Sequence, residues 1–168
     1  MTHAHTDPRA PAYVLAPGEL RRNPTVSPGV KADSTDTAGL LGIFEDALPA
    51  GDSGPPLHVH AEMDEAFYVL EGALVVRFGD DQREVTAGSF VWIPRGTAHA
   101  FANASASVTR MLGVAVPGGI EAFFAARQQY FDQLQGPPDL AVISRIGTHH
   151  GSRLLGPPIE IRAPARQK

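Results

Sequence analysis

Gly88-Ser89-Phe90-Val91-Trp92-Ile93-Pro94-Arg95-Gly96-Thr97-Ala98-His99-Ala100-Phe101-Ala102-Asn103 is the stretch that decides the fold. Phe90 to Ile93 alternates like a strand, Pro94 and Gly96 punctuate a turn, and His99 to Ala102 starts a second strand with a histidine as its first inward residue. With average residue frequencies, Gly, Pro, Gly, His and Asn at these five places arise by chance at a given start on the order of once in a million.

The same grammar extends outward. Short apolar or alternating runs separated by Gly, Pro and Asp occur at 40–45, 57–60, 65–70, 73–78, 83–86, 90–93, 99–102 and 108–116, and each reads as a strand. Asp80-Asp81 reads as a hairpin tip. About eight evenly spaced strands without a helical period between them predict an all-β barrel or jelly roll. The period changes after Pro117-Gly118-Gly119, where Ile120, Phe123, Phe124, Arg127 and Phe131 recur at i, i+3, i+4, i+7 and i+11. One amphipathic helix starts there, with its Phe pair in the core against the outside of the barrel. A second runs from an Asp139 N-cap to a stop at Gly147, so the helical segment spans about 118–147. Trp92, of parity opposite to Val91 and Ile93, is expected between sheets or at a dimer contact.

Composition narrows the function classes. The 168 residues allow one domain, and Gly 17 with Pro 15 makes about a fifth of the chain, which demands many turns. The absence of cysteine removes disulfides and thiolate chemistry. A net charge of −4 without a basic cluster speaks against nucleic acid as a partner. With Gly and Pro set aside, no apolar run exceeds five residues, so neither a membrane span nor a signal-peptide core is expected and the chain reads as cytoplasmic. Residues 1–11, with His3 and His5, and 163–168 read as disordered tails. Ten of the 18 acidic residues fall between Glu45 and Glu84, which favours cations there.

Chemistry concentrates in Leu57-His58-Val59-His60-Ala61-Glu62-Met63-Asp64-Glu65. Histidines at i and i+2 of a strand share a face, so both imidazoles converge. Glu65 or Asp64 can add a hard oxygen donor, and Glu65 has the parity of the core-seeking Phe67 and Val69. Imidazole with carboxylate suits divalent iron, manganese, nickel, cobalt, copper or zinc. Taken alone, the segment reads better as two exposed histidines on a polar strand. His149-His150 reads as a helix-end pair, and no serine stands in a G-x-S-x-G context, so hydrolase chemistry has no support.

Together the two stretches resemble the cupins. The first cupin motif, G-x5-H-x-H-x3,4-E-x6-G, is met by His58, His60, Glu65 and Gly72, although six residues rather than five separate Gly51 from His58. The second, G-x5-P-x-G-x2-H-x3-N, is met by Gly88, Pro94, Gly96, His99 and Asn103, only 15 residues further on. The resemblance covers about 40–116. It implies a double-stranded β-helix (jelly-roll) cupin barrel, a single domain over 12–162, and one divalent metal per chain held by His58, His60, Glu65 and His99. It also implies a homodimer. Asn103 reads as a turn or strand hydrogen-bonder. The segment 55–72, the helix and the Gly156-Pro157-Pro158 end look like bacterial cupins related to quercetin dioxygenase. That likeness implies dioxygenase action on an enolic or phenolic small molecule, flavonol-like or polyketide-like, with dioxygen as co-substrate and Glu65 as its proton acceptor. Phe67, Val76 and Phe101 are candidate pocket walls by parity. A non-oxidative cyclase, isomerase or decarboxylase, or a non-catalytic binder, would share this site.

Overall fold

In the computed structural model, which describes residues 10–21 and 27–161, the alternating runs become antiparallel strands. They are β1 (Gly29–Ala32), β2 (Gly42–Leu48), β3 (His58–His60), β4 (Asp64–Glu71), β5 (Ala73–Phe78), β6 (Asp81–Thr86), β7 (Phe90–Ile93), β8 (His99–Ala102), β9 (Thr109–Val116) and β10 (Ser152–Leu154). Two helices, α1 (Ile120–Asp132) and α2 (Leu140–His149), precede β10. One five-stranded sheet has the order β1-β2-β9-β4-β7 and the other β10-β3-β8-β5-β6. The eight expected strands are present, and β1 and β10 are additions. Their short, mixed sequences become strands by pairing: Ser152 lies opposite His60 and Val30 opposite Phe44.

The core lies between the sheets. Phe67, Val69, Ile93 and Met111 from one face Leu74, Val76 and Phe101 from the other, and the Phe67 and Phe101 rings meet edge-to-face at 4.9 Å. In β7, Val91 and Ile93 are buried while Phe90 and Trp92 stand exposed on the outer face. Trp92 is therefore not packed between sheets. All four residues of β8 are buried because Ile159 of the C-terminal segment covers the outward Ala100 and Ala102.

Several local expectations are corrected. The hairpin tip is Gly79-Asp80, one residue earlier than expected, with Gly79 at φ 57 supplying the left-handed turn and Asp81 already paired with Phe78. α2 continues past Gly147 to His149. Gly147 serves close packing instead, since a Cβ there would meet the Ser152 carbonyl oxygen at 3.1 Å, and the reversal falls to Gly151 at φ 75. The Asp139 N-cap is as expected, its carboxylate accepting from the Ala141 amide at 2.8 Å. α1 does not lie on the outside of the barrel but faces a cavity inside it, where Phe124 meets Phe44 with ring centroids 5.0 Å apart. Residues 1–9 and 163–168 of the expected tails, His3 and His5 included, lie outside the described residues, whereas the Ala10 amide already donates to the Asp36 carbonyl at 3.1 Å. Among the described residues no helix is long and apolar enough to cross a membrane.

Candidate metal centre

Three imidazoles converge from one sheet and a carboxylate from the other. His58 and His60 project from β3, His99 opens β8 directly opposite His58, and Glu65 stands at the start of β4 opposite Ile93 and Ala115. All four side chains are buried, and their ligand atoms lie within 4.8 Å of one another. One ion with bonds of about 2.1 Å spans such a set after shifts of a few tenths of an ångström. The imidazole centroids are separated by 4.3 Å (His58 and His99), 4.9 Å (His58 and His60) and 5.6 Å (His60 and His99).

The turns fix the ring orientations. His58 Nδ1 lies 2.8 Å from the Pro56 carbonyl and His99 Nδ1 lies 2.9 Å from the Thr97 carbonyl. A carbonyl only accepts, so both Nδ1 atoms carry the proton and both Nε2 atoms present a lone pair in the neutral rings. His99 Nε2 then faces Glu65 Oε2 at 3.0 Å, with His60 Nε2 at 3.3 Å from the same oxygen. Two acceptors at hydrogen-bond distance repel unless a positive species, either a proton or a metal ion, lies between them. The donor set therefore fits a divalent transition metal.

The pKa shifts of His58 and Glu65 favour ligation as well. Desolvation, with like charge on His99 and His60, pushes His58 down to about 3, so its ring is neutral and ready to ligate at neutral pH. Burial alone would push the Glu65 carboxyl up, but hydrogen bonds and charge from His60 and His99 outweigh it and hold Glu65 below the ordinary carboxylate range. Asp64, the alternative ligand, points elsewhere. It accepts from the Arg95 amide and from Arg95 Nη2, each at 2.7 Å, and these bonds hold its pKa down to about 2. The pair braces the turn that delivers His99, and in that turn Gly96, at φ 80, donates its amide to the His60 carbonyl at 2.7 Å. Asn103 is a hydrogen-bonder as expected, its Nδ2 donating to the Leu48, Pro49 and Ser107 carbonyls at 2.7–2.9 Å.

The cluster opens into a cavity of about 490 Å³. His58, His60 and Glu65 reach its wall, whereas His99, only 1% exposed, closes the cluster behind them. Phe67 and Phe101 line it. Val76 does not: β5 lies one strand further from β3 than β8 does, so Phe101, its cross-strand partner, stands between Val76 and the wall, and Val76 belongs to the core. The sequence reading missed Phe44, Asp46 and the contributions of α1 to the lining. A signal for the helix was present, because Arg127 is a charged residue in an otherwise apolar stripe. His149 and His150 meet edge-to-face at 5.1 Å, and His150 borders a smaller pocket of about 240 Å³ that also touches His60.

A jelly roll with three histidines and a glutamate clustered beside its cavity is the arrangement of a metal-dependent cupin site, and the chain carries a cupin domain. The profile of the cupin domain matches residues 44–115. The chain is similar to quercetin 2,3-dioxygenase of Bacillus subtilis, 32% identical over 114 residues that cover 67% of this chain and 33% of that protein. It is also similar to the oxidoreductase iacF of Pestalotiopsis fici, 43% identical over 53 residues, 31% of this chain and 26% of that protein. The matches thus span a third or less of these curated relatives. A double-stranded β-helix protein from Klebsiella pneumoniae shares the fold with a TM-score of 0.50 and 17% identity, over 60% of this chain and 84% of that one.

Proposed function

We propose that the chain is a mononuclear metal-dependent enzyme of dioxygenase type acting on an enolic or phenolic small molecule. The carrying observation is the His99–Glu65 contact, Nε2 facing Oε2 at 3.0 Å, in a histidine cluster that opens into an aromatic cavity. The likeness to quercetin 2,3-dioxygenase supports the reaction type. His58, His60, Glu65 and His99 would hold one divalent metal, which when bound supplies Lewis acidity and open positions for substrate and dioxygen.

The chain's own groups do the rest. Phe67 and Phe101 position a flat substrate and keep water from its reacting edge. Glu65, ionised and on the cavity wall, accepts the enol or phenol proton on its carboxylate and leaves an electron-rich enolate. Exposed Tyr68, Leu70, Phe90 and Trp92 line up on β4 and β7, where Tyr68 pairs with Phe90, and they support a homodimer through that face. We place the protein in the cytoplasm.

The test is oxygen uptake by metal-loaded protein with flavonols and small enols, repeated with Glu65→Gln. Substrate-dependent uptake is expected, and the variant should lose about two orders of magnitude in turnover per bound metal. Product formed without oxygen consumption would replace the dioxygenase with a non-oxidative cyclase, isomerase or decarboxylase. Equal turnover per metal in the variant would reduce Glu65 to a ligand.

A further inference from the structure

Away from the histidines, the same cavity carries a charged pair that the metal chemistry does not use. Asp46 projects from β2 with the inward parity of Phe44 and Leu48, and Arg127 projects from α1. On β9, which lies between β2 and β4, Asp46 is opposite Met111 and Glu65 opposite Ala115. Four residues at about 3.4 Å each put Asp46 about 14 Å along the strand from Glu65.

The two groups are held apart and underused by the protein. Among the described residues Asp46 accepts only from the adjacent Ala47 amide, at 3.0 Å, and forms no ion pair with Arg127. Arg127 donates one hydrogen bond, from Nη2 to the Ser27 carbonyl at 2.6 Å, while its guanidinium lies 5.8 Å from the centroids of both Phe123 and Phe124. Of five guanidinium N–H donors, four have no acceptor among the described residues. Such groups, reached from the cavity, are free to bind a polar ligand.

Charge decides which ligand fits. Arg127 is already opposed by the fields of Asp46 and Asp52, both also on the cavity wall. A substrate carboxylate would meet Asp46 as well as Arg127, whereas a neutral hydroxyl can donate to the Asp46 carboxylate and accept from the guanidinium at once. Burial pushes the Asp46 carboxyl up and the Arg127 guanidinium down, so each benefits from such a partner. Between the two polar ends, Phe44, Phe67, Phe101, Phe123, Phe124 and Phe131, six of the eight phenylalanines, offer ring faces and edges.

We propose that Asp46 and Arg127 form a second recognition point that reads a neutral hydroxyl on the end of an aromatic substrate remote from its metal-binding enol. This rests on the enol-binding reading above. It makes the pair specificity-determining residues and selects elongated, hydroxylated ring systems over small enols.

Anaerobic calorimetric titration of the metal-loaded protein tests it. The probes are maltol, which carries the chelating enol alone, 3-hydroxyflavone, which adds rings without a remote hydroxyl, and 3,7-dihydroxyflavone and 3,4′-dihydroxyflavone, which supply one at either end. At least one dihydroxyflavone should bind about tenfold tighter than 3-hydroxyflavone, the scale of one added hydrogen bond to a charged group. Arg127→Met and Asp46→Leu should each abolish that advantage and leave maltol unchanged, and Arg127→Lys should restore part of it. Equal affinities of all three flavones for the wild-type protein would overturn the proposal without recourse to any variant. So would substitutions that weaken maltol as much as the dihydroxyflavones. Failure of maltol itself to bind would overturn the enol-binding reading and this proposal with it.

Discussion

Acid should weaken the metal-stripped protein through His58, and the size of the effect follows from its burial. In the folded state the ring titrates near 3, against 6.5 for a free imidazole. Between those values the unfolded chain binds a proton that the folded chain refuses, so stability is full above pH 6.5 and is lost as pH falls toward 3. From pH 7.5 to 4.5 the loss covers two pH units below 6.5, about 2.7 kcal/mol at 1.36 kcal/mol per unit. In a domain of this size that is about 8 °C in Tm. His58→Asn keeps an amide N–H able to donate to the Pro56 carbonyl and removes the titrating group. Urea unfolding of the EDTA-treated wild type and variant at both pH values isolates the term, because the Asp64–Arg95 pair and all other carboxylates are common to both. The variant should lose about 2.7 kcal/mol less on acidification. Parallel losses would refute a neutral, desolvated His58.

Other outcomes follow from the same geometry. Protein purified without chelator should carry about one divalent metal per chain; His60→Ala should lower occupancy strongly, and unchanged metal content in a His58→Ala, His60→Ala double variant would refute the ligand set. Light scattering should give a dimer, and Phe90→Glu with Trp92→Glu should return it to a mass near the 17.8 kDa of one chain; a monomeric wild type across a concentration series would refute the sheet-face contact. Gly113→Ala would thrust a Cβ into the Phe44 ring, which closes one side of the cavity. It should cost about 1–3 kcal/mol in urea unfolding and weaken flavonol binding while leaving metal content intact.

The sequence carried the fold wherever burial is one-sided. β5 and β7 alternate because one face meets the core and the other does not, and their limits are readable to within a residue or two. β1 and β10 were illegible because pairing, not pattern, makes them strands: Ser152-Arg153-Leu154 has no periodicity, and its state is set by β3 beside it. Gly147 misled for a related reason. A glycine near a helix end reads as a stop, but here its missing Cβ lets the Ser152 backbone approach. Parity put Val76 on the inward face, and only strand order could show that Phe101 intervenes. The orientation of α1 was likewise beyond the pattern, since an apolar stripe fits a cavity and a barrel wall equally well; Arg127 within the stripe was the one residue that distinguished them.

The four-residue cluster was legible for a deeper reason, which also explains its chemistry. His58 and His60 are local, two residues apart on one strand, but Glu65 belongs to the opposite sheet and His99 to a strand 34 residues further on. Spacing identifies such a set only when each member is delivered by a rigid local device. β3 gives the pair a common face, Asp64 and Arg95 brace the turn before His99, and the Pro56 and Thr97 carbonyls choose the tautomers of His58 and His99. Those devices leave Glu65 and His99 as facing acceptors across the two sheets. A cation between them would therefore tie one sheet to the other at the cavity wall, where His58, His60 and Glu65 meet the substrate. Holding the barrel together and presenting an open reactive face would then be consequences of a single arrangement.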